Sequence, residues 1–234
     1  MECENEKGVY LIESVPDINA HLFSDAENNE DISFYYFGDP MCSWCWEACV
    51  KKTASASALS LAGYGPGGTW GPELTEFLRN EWAYIALKTR KPFSYRLLDR
   101  NFFNYDTKPA CRVVVTAGLI LGENKTLPFF RSIQEKFFVS GEGPKEKEFY
   151  RSLCDLHSIP FEGFFSWFES NEIKSATQVQ FRFCRISGVQ KFPKVCFRRN
   201  GRLNTFINGY LPPENLEGLF NNIVLGPDGA GKST

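Results

Sequence analysis

Strand-like segments towards both ends of the chain, a long helical middle, and a cysteine pair directly after the strongest strand predict an α/β fold. In it, a small sheet is split by a large helical insertion. The length of 234 residues is enough to bury a sizeable core. A hydrophobic fraction of 43%, with 22 Phe, argues for a folded chain rather than a disordered one. The net charge of -2 gives no electrostatic footprint for nucleic acid. No window has the apolar length of a membrane span. The first seven residues are acidic and polar and lack the layout of a secretory signal, so the expectation is a cytoplasmic protein with no membrane partner.

The elements follow in order. Residues 8–12 read as a weak first strand and 18–23 as a helical stretch. Residues 32–37 are a strong strand, rich in β-branched and aromatic side chains. Gly38-Asp39-Pro40 stops it. A short helix is expected over 47–58, a second strand over 59–62, and a loop over 63–68. Residues 72–89 then carry Leu74, Phe77, Leu78, Trp82 and Ile85 at helical spacing. Thr107 can cap a helix with Pro109 in its first turn. Further helices are expected over 127–139 and 145–156. One or two more should lie within 164–186, closed by Gly188 as a C-cap. Strands return at 194–197 and 203–207, joined by Asn200-Gly201, a type I′ hairpin signal. Residues 213–223 read as a last helix. This order is that of a thioredoxin-like core, residues 1–68 and 188–225, split by a helical insertion over 69–187.

The chemistry centres on Cys42-Ser43-Trp44-Cys45. If a helix starts there, Cys42 stands at its N-terminus, where unpaired N–H groups and the helix dipole favour a thiolate. Cys45 lies one turn on, close enough to close a disulfide. The competing reading is a metal site using Cys42, Cys45 and Cys49. A tetrahedral zinc site needs four ligands, however, and the sequence has no second CxxC and only His21 and His157, so no metal is expected. Cys111, Cys154, Cys184 and Cys196 are isolated and read as small buried hydrophobes. Residues 226–234, Gly-Pro-Asp-Gly-Ala-Gly-Lys-Ser-Thr, match the P-loop pattern. That pattern needs a following helix to bind phosphate, and none follows, so the segment reads as a tail.

The segment from Tyr36 to Trp46 resembles the DsbA-like family of thioredoxin-fold oxidoreductases, in particular its cytosolic branch of disulfide isomerases. Further matches are Tyr105 to Arg112, Gly188 to Pro193, and Asn208-Gly209-Tyr210, in the family's order. The resemblance implies that Cys42 attacks and Cys45 resolves. It implies a cis Phe192-Pro193 bond lying against the pair, with the Phe192 backbone open to an extended substrate. Ser43 and Trp44 would tune the Cys42 thiolate. The activity implied is thiol–disulfide exchange on cysteine-containing proteins or peptides, with glutathione or a thioredoxin-type donor as reductant and no cofactor. A non-catalytic adaptor and a glutathione-using isomerase or transferase of small molecules are the alternatives. The chain leaves the family pattern after Trp46. There Glu47 brings a carboxylate beside the thiols, and the following segment is short and poor in large apolar residues.

Overall fold

The computed structural model describes residues 32–47, 58–61 and 69–212, together with Asn215, Leu216, Gly218, Leu219 and Ile223. The expectations for 8–12, 18–23, most of the helix over 47–58, the loop over 63–68, Cys49, the Glu47 side chain and the P-loop-like segment lie outside the described residues. The described residues within 213–223 are helical.

Strand β1, Ser33–Gly38, is the centre of a four-stranded sheet. On one side it pairs in parallel with β2, Ala58–Leu61; on the other it pairs antiparallel with β3, Lys194–Arg199, which in turn pairs antiparallel with β4, Arg202–Asn208. Alternation along β1 explains its aromatic run. Phe34 and Tyr36 join one apolar cluster, while Tyr35 and Phe37 join another with Phe183, Cys184 and Val189. Successive side chains of a strand face opposite ways, so a strand covered on both sides must be apolar throughout. The turn from β3 to β4 has Asn200 at φ 51 and Gly201 at φ 70, the two positive values a type I′ turn requires.

The first helix after the sheet's central strand is α1, Ser43–Glu47. The helical block comprises α2, Pro72–Thr89; α3, Lys108–Leu121; α4, Glu123–Phe138; α5, Lys147–Leu156; α6, Phe161–Glu169; and α7, Asn171–Ile186. Two helices therefore occupy the end of the block, divided at Ser170, whose hydroxyl accepts from the Ile173 N–H. Helix α7 ends as expected near Gly188, which sits at φ 63. The Val189 N–H bonds Cys184 O and the Gly188 N–H bonds Arg185 O, the paired bonds of a Schellman motif. Helix α4 starts four residues before the expected 127, taking Pro128 into its first turns.

One expectation is corrected. Thr107 precedes α3, but its side chain makes no capping bond. It is buried, and Asp106 Oδ1 accepts the Lys108 N–H at 3.1 Å instead. Thr107 is turned inward, towards a buried carboxylate described below.

The sheet and the helices share their apolar cores. Phe34, Tyr36 and Val195 of the sheet pack in one cluster with Val113, Val114, Phe129, Phe164 and Ile173. A second cluster gathers Met41 and Trp46 with Leu78, Trp82, Phe103, Phe137 and Phe138. Helix α1 lies between the two, Cys45 in the first and Trp46 in the second.

Candidate active site

The site forms where β1 ends. Gly38 is followed by Asp39-Pro40-Met41, and the Cys42 N–H closes the turn onto Asp39 O at 3.1 Å. Cys42 then precedes α1 and accepts on its carbonyl from Cys45 N and Trp46 N. Its side chain is half-buried, whereas Cys45 is fully buried. Both are free thiols. The turn is pinned from afar by the Tyr105 hydroxyl, which donates to Met41 O at 3.0 Å. It is also packed tightly. A Cβ on Gly38 would stand 2.5 Å from Cε1 of the buried Tyr36 ring.

Asp39 is the unusual group. Its side chain is buried. Oδ1 accepts the Met41 N–H at 2.8 Å, and the Cys111 thiol of α3 donates to Oδ2 at 3.8 Å. The Thr107 hydroxyl lies beside it without completing a hydrogen bond. Burial raises the Asp39 carboxyl to about 6, with Thr107, Met41 and Cys111 opposing the rise. The Cys45 thiol is likewise held well above its ordinary value, by burial first and by the adjacent Cys42 sulfur second. Asp39 acts on Cys45 in two opposite ways: its backbone N–H hydrogen-bonds the sulfur and eases ionisation, while its carboxylate charge disfavours a Cys45 thiolate. The Tyr36 phenol completes the surroundings of Cys45 and is pushed up by the same burial.

The outer side of the pair is built by α2. The Ser43 hydroxyl donates to Glu81 Oε2 at 3.4 Å, and the Trp44 side chain also hydrogen-bonds this carboxylate. The Trp44 ring lies between Tyr84 at 6.1 Å and Tyr210 at 5.7 Å. Tyr210 follows β4, and the neighbouring Gly209 N–H bonds Pro193 O at 2.8 Å. The Phe192-Pro193 bond is cis. It sits at the end of β3 that pairs with Phe37, the same end of the sheet as the cysteines. Phe192 packs against the cluster that also holds Cys42 and Cys45. Among the described residues no group of three His, Cys, Asp or Glu is arranged to hold a metal ion.

Compared by sequence, the chain matches no protein-family model and no curated protein. Compared by structure, it is similar to a candidate protein disulfide isomerase from Nitrosomonas europaea, with TM-score 0.75 and 29% identity over 85% of this chain and 100% of that one. The chain has the DsbA-like thioredoxin fold. The same DsbA-like fold relates it to the cytosolic disulfide reductase DsbM from Pseudomonas aeruginosa, at TM-score 0.62 and 21% identity over 80% of this chain and 92% of that one. It also relates it to 2-hydroxychromene-2-carboxylate isomerase, at TM-score 0.60 and 10% identity, covering 86% of this chain and 100% of that one.

Three groups at the site have roles that local sequence does not show. Asp39 is legible as a strand breaker and as part of the Tyr36 to Trp46 match, but its burial beside Cys111 and Thr107 depends on residues more than sixty positions away. Glu81 and Tyr84 are legible as helix residues, but only the docking of α2 on α1 brings them to the pair.

Proposed function

We propose that the protein is a thiol–disulfide oxidoreductase acting on protein or peptide disulfides through Cys42 and Cys45. One observation carries the reading: a half-buried Cys42 next to a fully buried Cys45, at the turn that ends β1. The Cys42 thiolate attacks one sulfur of the substrate disulfide. That bond breaks, its electron pair leaves on the other substrate sulfur, and a mixed disulfide forms at Cys42. Cys45 must then lose its proton. The buried group whose charge acts on Cys45 is Asp39, held up to about 6, and we assign it that proton. The Cys45 thiolate attacks the Cys42 sulfur, the substrate leaves as a thiol, and the pair is oxidised. The substrate has gained two electrons, which two molecules of a small thiol restore to the pair, leaving as their own disulfide.

The neighbours support this reading by their kind. One is a cytosolic disulfide reductase, and a structure of that protein also contains glutathione. Glutathione is accordingly the reductant we propose, and a reducing compartment the setting, where reduction and isomerisation are the useful directions. An extended substrate would lie along the Phe192-Pro193 backbone, against Trp44.

The test is reduction of insulin disulfides with glutathione as electron donor. Wild type is expected to accelerate precipitation of the insulin chains, and Cys42→Ser to remove the acceleration. Equal rates for the two would overturn the enzyme reading. Binding of a reduced peptide that survives Cys42→Ser, with no turnover in wild type, would mark an adaptor instead.

A further inference from the structure

Helix α2 lays Phe77, Glu81, Tyr84 and Lys88 along one stripe, at spacings of four, three and four. Glu81 is occupied with Ser43 and Trp44. The residues one and two turns further along have no such internal task. Tyr84 is 55% exposed and stands edge-on to Trp44. The Lys88 ammonium lies over two rings at once, 5.8 Å from the Tyr84 centroid and 5.7 Å from that of Tyr210. Lys88 is thereby held in place by cation–π contacts from two different elements, both of which touch Trp44.

Among the described residues no carboxylate pairs with Lys88. Cation–π contacts hold an ammonium in place without neutralising its charge. Two more cations flank α1. Lys91 lies 4.5 Å from the Trp46 ring centroid, and Arg131 donates to Trp46 O. The nearest described carboxylate on the same helix face, Glu81, already accepts from Ser43 and Trp44. The surface beside Cys42 is therefore an aromatic shelf that ends in a positive charge with no carboxylate partner among the described residues.

We propose that Lys88 makes this shelf selective for disulfide peptides whose half-cystine is flanked by carboxylates. The proposal rests on the exchange reading above and adds a substrate class to it. The peptide would lie over Trp44 and Tyr84 with its sulfur at Cys42, and a neighbouring Asp or Glu would meet the ammonium. An exposed pair of this kind is worth about twofold to fivefold in rate, and salt weakens it.

The experiment uses three synthetic peptides with a central Cys flanked on both sides by Glu, Gln or Lys, each activated as a 2-thiopyridyl disulfide. Attack by the Cys42 thiolate on the peptide sulfur releases 2-thiopyridone, read by absorbance. Cys45 then displaces the peptide as a thiol and the enzyme ends oxidised. Each rate is divided by that of the same peptide with 2-mercaptoethanol, which removes the intrinsic effect of the flanking charge. Wild type is expected to react with the Glu peptide about threefold to tenfold faster than with the Lys peptide at low salt, and the gap should narrow at high salt. Lys88→Gln should flatten the order and Lys88→Glu should reverse it. Equal normalised rates in wild type, or an order that neither variant changes, would overturn the selectivity. If no peptide reacts with wild type, the exchange reading itself fails and the proposal falls with it.

Discussion

At the scale of single residues, Asp39 is where the site's chemistry and its stability meet. The folded state holds the Asp39 proton up to about 6, while an unfolded aspartate releases it near 4. The stability this group contributes is therefore complete below about pH 4 and is lost as pH rises through 6. A shift of about two units corresponds to about 3 kcal/mol. Asp39→Asn carries no charge at any pH and its oxygen can still accept the Met41 N–H. It is predicted to be more stable than wild type by about 1–3 kcal/mol at neutral pH, with the advantage gone near pH 3.5, as read by urea denaturation at the two pH values. An advantage of equal size at both would mean that the charge is not its source. The cysteines differ in access in a way that is checked more simply. Iodoacetamide should label Cys42 well before Cys45, because Cys42 alone of the pair reaches the surface. Cys154 and Cys184, which burial pushes up to about 12, should label as slowly as Cys45.

At the scale of elements, the glycines separate two kinds of constraint. Gly188 ends α7 at φ 63 with open space around it, so Gly188→Ala should cost only the left-handed backbone conformation, about 1 kcal/mol. Gly38 has no such backbone demand but faces the Tyr36 ring. Gly38→Ala must displace a buried aromatic beside Cys45 and should cost more, about 1–3 kcal/mol, and also slow exchange. Thermal melts of the two variants compare the costs, and the insulin assay shows whether only the second loses activity. The same contrast explains what was legible beforehand. Asn200-Gly201 and Gly188 act through their own backbone angles, so local sequence was enough. The cis Phe192-Pro193 bond came from resemblance, since composition alone favours trans. Thr107 misled because capping is also judged locally, whereas its hydroxyl answers to Asp39 across the fold. Glu81 and Tyr84 carry no local signal at all, and Tyr210 enters only through the Asn208-Gly209-Tyr210 resemblance. Their place beside Trp44 follows from how α2 and the end of β4 dock.

At the scale of the whole molecule, shared cores tie the sheet to the helices. Phe34, Tyr36 and Val195 belong to the same apolar cluster as residues of α3, α4, α6 and α7, and Met41 and Trp46 to that of α2 and α4. The division into a core of 1–68 and 188–225 around an insertion of 69–187 is a proposal about chain order. The packing predicts that the two parts lose structure together, with far-UV circular dichroism and tryptophan fluorescence tracing one urea transition. Two separated transitions would mean that the parts fold independently. The arrangement also gives the pair its setting: α1 is gripped between two cores, with one thiol inside and the other at the surface. The most direct test of the exchange mechanism uses this asymmetry. Cys45→Ser, incubated with a peptide disulfide and analysed by mass spectrometry after proteolysis, should accumulate the peptide covalently on Cys42, because nothing remains to resolve the bond. No trapped peptide, or a peptide trapped on another cysteine, would contradict the account.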